Sequence, residues 1–89
     1  MSKKYELTDE YIEVEGTKLY RIKALKDFYD VKKGDLGGWI EKEGNLSQKG
    51  NAWVYDDARV YDNAWVYGND RVSEWRVTGF TNQVGYIYE

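Results

Sequence analysis

The chain contains no cysteine, no histidine and no proline, and each absence closes a line of chemistry. Without cysteine there are no disulfides and no thiol reactions, which fits a reducing compartment. Without histidine, neither Ser47 nor Ser73 has an imidazole to activate it, and no metal-ligand cluster can be assembled from the residues present. No proline-rich or low-complexity linker divides the sequence, so 89 residues are expected to form one domain. Apolar residues never run to membrane-span length, and Met1-Ser2-Lys3-Lys4 is not followed by an apolar signal region. There is no basic surplus either: 13 Lys and Arg stand against 16 Asp and Glu, a net charge of −3. That balance gives no electrostatic basis for binding nucleic acid or an anionic membrane. The expectation is a soluble cytoplasmic protein with no nucleic-acid or membrane partner.

What the chain does have is a phrase of six residues written three times. Asn51-Ala52-Trp53-Val54-Tyr55-Asp56 becomes Asp57-Ala58-Arg59-Val60-Tyr61-Asp62, then Asn63-Ala64-Trp65-Val66-Tyr67-Gly68. A fourth copy opens at Asn69, with Val72 in the valine slot. Valine at the fourth place is flanked by large or charged residues, which is strand alternation with valine inward. Alanine two places earlier points the same way, with room for only a methyl group. The Asn, Asp and Gly residues joining the phrases are turn formers that tolerate left-handed backbone. Each hexad therefore reads as a very short strand and a bend, and three bends close a triangular coil of 18 residues. Units of this kind bury their apolar residue only by stacking on neighbours.

The repeat extends beyond its clean copies. Gly38-Trp39-Ile40 and Gly44-Asn45-Leu46 fit the small–x–aliphatic pattern with Gly in place of Ala. The step from Leu46 to Val54 is eight residues, which places a two-residue bulge in Gln48–Gly50. After Val72 the register slips, to Val77 and then Val84, and Trp75 falls in an alanine slot too small for an indole. Trp75, with Phe80, is expected to close the prism, and Gly85–Tyr88 to form a last strand. Residues 5–35 do not repeat. Glu10–Val14 and Leu19–Ile22 alternate around Glu15-Gly16-Thr17, a β-hairpin reading, and Val31–Asp35 carries a second turn signal. The division is a capping segment, 1–35, over the open edge of a repeat region, 36–89.

Ala52 to Val72 resembles the hexapeptide-repeat family, whose units carry an aliphatic residue, turn residues and a small residue two places before the next aliphatic. That resemblance implies an all-β fold: a short left-handed parallel β-helix of about two and a half coils with an N-terminal β-hairpin cap, a right-handed coil being the alternative that the spacing alone leaves open. Many members are acyltransferases that use a histidine as general base, and this chain has none. The expectation on that ground is no enzymatic activity, no catalytic residue, no metal and no cofactor. The wording N-A-x-V-Y-G after Asp35-Leu36-Gly37-Gly38-Trp39-Ile40-Glu41 is also similar to small phage and prophage proteins.

With valine inward, Trp53, Tyr55, Tyr61, Trp65 and Tyr67 are expected to point outward as the binding surface. Spacing sorts them into three columns. Trp53 and Tyr55 lie with Arg71 and Ser73; Trp65 and Tyr67 lie with Asn45, Ser47, Gln83 and Gly85. Arg59 and Tyr61 lie with Trp39, Glu41, Arg76 and Thr78. Aromatic residues are enriched at binding hot spots, and they are also good strand formers. Asp56, Asp57, Asp62 and Asp70 lie at different corners and read as turn residues rather than a calcium site. The functional expectation is a non-enzymatic, phage-type protein-binding module that forms a dimer or higher homo-oligomer in the bacterial host cell. Its target would be a host immune effector, making it an anti-CRISPR or other anti-defence protein. The alternatives are a self-assembling virion or scaffold β-helix and, behind both, a carbohydrate-binding module.

Overall fold

The computed structural model describes residues 3–72, together with the backbone of the strands at 76–81 and 85–88. The fold is all-β. Its strands are β1 (Tyr5–Val14), β2 (Thr17–Ala24), β3 (Leu36–Ile40), β4 (Trp53–Val54), β5 (Arg59–Val60), β6 (Arg71–Val72), β7 (Arg76–Thr81) and β8 (Gly85–Tyr88). The described helical structure is one 3-10 turn at Glu43–Asn45. Six strands form a sheet in the order β1-β2-β3-β5-β7-β8, and β4 pairs with β6 in a second sheet. By backbone pairing alone the sheets do not close into a continuous solenoid.

The hexads explain why β4, β5 and β6 are two residues long. The sixth residue of each phrase turns the chain, so Gly50, Asp56, Asp62 and Gly68 all have positive φ, between 52° and 71°. Gly adopts this region without strain, and Asp is among the few other residues that tolerate it. Between turns, chain segments stack in parallel in three columns. Ile40 lies over Val60 and Val60 over Val77, Leu46 over Val66, and Val54 over Val72. The sequence columns are thus reproduced, and the register slip of the last repeat appears as the 17-residue step from Val60 to Val77. The eight-residue step is taken up at the bend of Gln48 and Lys49. Past this bend Asn51 donates to Asn69 at 3.4 Å, side chain to side chain, 18 residues apart.

Ile40, Leu46, Val54, Val60, Val66 and Val72 are all buried between the columns, with Ala52, Ala58 and Ala64 beside them. Gly38 takes the small slot above Ala58. A Cβ there would lie 2.5 Å from the Ala58 carbonyl oxygen and 2.7 Å from Val54 Cγ1.

The N-terminal residues close the upper edge. The β1–β2 hairpin turns at Glu15 and Gly16, both at positive φ, and extends further than the alternation alone suggests. β2 pairs antiparallel with β3, covering the edge that β3 would otherwise expose. Beyond the hairpin, side chains do the same work. Tyr5 donates its hydroxyl to the Leu46 carbonyl at 2.5 Å, and Lys4 donates its ammonium to the Ala52 carbonyl at 2.6 Å. Gln48 accepts from the Tyr5 backbone N–H and donates to its carbonyl, each at 3.2 Å. At the other edge β8 lies antiparallel on β7, as a final strand over Gly85–Tyr88 predicts. The positions of Trp75 and Val84 fall outside the described residues. Among the described residues, no helix is long and apolar enough to cross a membrane, which leaves β-barrel spans untouched.

Candidate functional site

The expectation that all five aromatics of the repeat face solvent is corrected by what lies over two of the three columns. Trp53 is only 2% exposed. Tyr5 meets its ring edge-on at 6.3 Å between centroids, and Phe28 does so at 5.3 Å. Tyr55 beside it is half-buried and donates its hydroxyl to Asp30 Oδ1 at 2.8 Å. Burial first, then the hydrogen bond and negative charge of Asp30, push that hydroxyl up to about 12. Arg71, paired with Trp53 in the parallel β4–β6 ladder, lies 3.4 Å from the ring of Tyr29. The segment between β2 and β3 thus fastens onto this column through an aromatic edge, a carboxylate and a cation–ring stack. None of these contacts is visible in the hexad, because the partners are in an unpatterned loop, 25 residues away for Trp53 and Tyr55 and further still for Arg71.

The Arg59 and Tyr61 column is covered differently. Tyr61 and Trp39 are buried with Val14 and Leu19, and Ile12 packs at their edge. These residues form a second, smaller apolar cluster on the outer side of the large sheet. Arg21 completes it: the guanidinium lies 4.2 Å from the Trp39 ring and donates to the Gly37 carbonyl at 2.7 Å. Glu10 and Asp57 flank the same guanidinium at 3.6 and 3.4 Å. Asn45, assigned to an outward column by its spacing, is fully buried instead. Its amide nitrogen donates to the Ala64 carbonyl at 2.8 Å, and its oxygen accepts from the backbone of Glu41 and Lys42.

Trp65 and Tyr67 are placed otherwise. They remain 48% and 37% exposed, and their rings stack on one another with centroids 4.2 Å apart and planes 23° from parallel. Residues two apart on an extended segment emerge from the same face. Rings facing each other from such positions stand on edge, presenting their outer faces and rims rather than a flat platform. Together they form an exposed aromatic feature on the column of Leu46 and Val66. Surface patches of this kind mark interaction sites when they are contiguous. Among the described residues, no group of three or more acidic side chains is placed to hold a metal ion.

The strongest titration shifts lie at the covered edge. Lys4 is fully buried. Its acceptors are neutral carbonyls, so burial, with the charge of Lys26, lowers its ammonium to about 8. Burial and the nearby charge of Glu43 raise the Tyr5 hydroxyl well above its ordinary value. Sequence reading missed Lys4, which sits in a charged run that resembles a solvated terminus. The long step after Leu46 is the signal that was there. It widens the chain there, and the carbonyls of Lys49, Gly50 and Ala52 all take the Lys4 ammonium as donor.

Comparison with known proteins places part of the chain beside an enzyme. No family model matches it. The uncharacterized acetyltransferase YdcK of Escherichia coli (strain K12) is 44% identical to it over 62 aligned residues, which cover 61% of this chain. The chain spans only 19% of that relative's length. The expectation of a chain without enzymatic activity is therefore withdrawn, since a protein named as an acetyltransferase shares this segment. Its physical basis was too narrow. A missing histidine removes one kind of general base, whereas acyl transfer also draws on positioning and on backbone donors at the developing oxyanion.

Proposed function

We propose that this chain is a protein-binding module built on a short left-handed parallel β-helix, with its partner docked on Trp65 and Tyr67. The β-helix reading is supported by parallel columns at steps of 17 to 20 residues and by the turn at every sixth residue from Gly50 to Gly68. The binding reading rests on one observation. The chain covers Trp53 and Tyr61 with its own residues, yet leaves Trp65 and Tyr67 exposed and stacked. Large aromatics supply rigid contact area and dominate binding energy where they serve as anchors. On the phage-like reading of the N-A-x-V-Y-G wording, the partner proposed first is a bacterial defence effector.

The test is affinity capture with the Trp65→Ser/Tyr67→Ser double variant beside the wild type, with melting temperature measured on both. Folding is expected to survive and capture to be lost, each anchor contributing roughly 2 kcal/mol or more. Full capture by a folded double variant overturns the reading.

The relation to a segment of an acetyltransferase supports a second reading, in which the module serves acyl transfer. Saturable binding of acetyl-coenzyme A and transfer of its acetyl group to a captured partner are its expected signatures. Binding of acetyl-coenzyme A does not require the two aromatics, so its persistence in the double variant after capture is lost separates the readings.

A further inference from the structure

The molecule contains its own precedent for what occupies a Trp-Val-Tyr hexad. Hexads 51–56 and 63–68 are identical at five of six positions, differing only in Asp56 against Gly68. Their inward residues are equivalent as well: Ala52, Val54, Ala64 and Val66 are all buried. Outward the two differ completely, with Trp53 at 2% exposure and Trp65 at 48%. Among the described residues, two elements cover the first hexad and not the second: the Tyr5 ring, edge-on to Trp53, and the turn Phe28–Val31, which reaches both Trp53 and Tyr55.

That turn has a definite chemistry. Phe28 and Val31 exchange both backbone hydrogen bonds, at 2.9 and 2.7 Å, closing a two-residue turn with Tyr29 at a φ of 48°. The geometry brings two groups to one hexad. The Phe28 ring packs edge-on against Trp53, and the Asp30 carboxylate accepts the Tyr55 hydroxyl two residues along. Tyr29, between them, stacks on Arg71, which belongs to the next coil and not to the hexad. The hexad itself therefore recognises an aromatic residue and a carboxylate separated by one residue.

We infer that the Trp65–Tyr67 hexad binds a partner segment of the same chemistry, a tight turn carrying aromatic–x–acidic. This deepens the proposed binding function and rests on it. In the occupied hexad the indole meets an aromatic edge, whereas in the exposed one it lies against the neighbouring tyrosine. Docking is thus expected to unstack Trp65 from Tyr67 as the incoming ring replaces the tyrosine.

The probe is a disulfide-cyclised peptide carrying the sequence of residues 26–32, titrated into the intact isotope-labelled protein and followed by the indole N–H signals. A saturable shift confined to the Trp65 indole is expected, together with its disappearance in the folded Trp65→Ser protein. Asp30→Ala in the peptide, which removes the acceptor, should weaken binding at least about fivefold, the loss of one hydrogen bond. Tyr67→Phe in the protein should weaken it by the same factor, because it removes the other half of that bond and keeps the ring. This variant also serves if Trp65→Ser fails to fold. Absence of a saturable shift on the folded wild type at millimolar peptide overturns the proposal, as does a shift that persists in Trp65→Ser. If partner capture is lost in Trp65→Ser while the peptide neither binds nor competes, the binding function stands and the aromatic–x–acidic chemistry fails.

Discussion

A single backbone carbonyl decides what residue 38 can be. A Cβ on Gly38 would fall 2.5 Å from the Ala58 oxygen, and main chain held in a parallel column cannot retreat as a flexible side chain would. Gly38→Ala is expected to lower stability by about 1–3 kcal/mol, the range for overpacking, readable as a reduced denaturant midpoint. Val60 makes the opposite case from inside the core, since it is fully buried among apolar neighbours. Val60→Asp places an unpaired charge there and is expected to unfold the chain, so a cooperatively melting variant would show the inward assignment to be wrong. Lys4 supplies a test in pH. Its folded value of about 8 lies below the ordinary 10.5, so between these limits the unfolded chain holds a proton that the native chain lacks. Stability contributed by Lys4 therefore rises with pH from about 8 upward, and Lys4→Met should flatten that slope. Tyr5 works in the opposite sense, but only above its ordinary value of 10.0, so pH 8 to 10 is the clean window for urea titrations.

At the scale of elements, the repeat was legible and its covering was not. Spacing alone aligned Trp39 with Arg59 and Arg76, and Trp53 with Arg71, because a six-residue period with a small inward residue leaves few alternative registers. It also located the hairpin turn at Glu15-Gly16 and the wide bend at Gln48, where turn chemistry and an extra pair of residues are local signals. Which columns are buried depends on where residues 1–35 travel, and that is set by contacts of high sequence separation. Tyr5 reaches Leu46 across 41 residues and Tyr55 reaches Asp30 across 25. The hexad therefore reads the same for Trp53 and Trp65, although one is core and the other surface. Tyr5→Phe isolates the covering step: it keeps the ring against Trp53 and leaves the Leu46 carbonyl without its hydroxyl donor. A loss of about 1–3 kcal/mol in thermal or chemical unfolding is expected, from a buried acceptor left unmatched.

For the whole molecule, the two edges of the large sheet are treated unequally, and this bears on how copies could assemble. The upper edge is sealed twice, by β2 lying on β3 and by side chains: Lys4 and Tyr5 donate to the main chain of Ala52 and Leu46, and Gln48 bonds back to the main chain of Tyr5. The outermost strand there, β1, carries Glu6, Asp9, Glu10 and Glu13 and is interrupted by a bulge between Leu7 and Tyr11. Like charges along an irregular edge oppose strand addition. End-to-end growth needs two compatible ends, so a filament is disfavoured and self-association of the intact chain is expected to stop at a discrete species. The covering segment is what enforces that limit. A chain lacking residues 1–35 exposes the edge of β3, the ring of Trp53 and the carbonyls of Lys49, Gly50 and Ala52 together. Sedimentation velocity should then show the intact protein as one narrow boundary across the micromolar range and the shortened chain as a broad distribution of larger species. A shortened chain that stayed folded and monodisperse would mean that the repeat region satisfies its own edge, and that the first 35 residues serve something other than covering it.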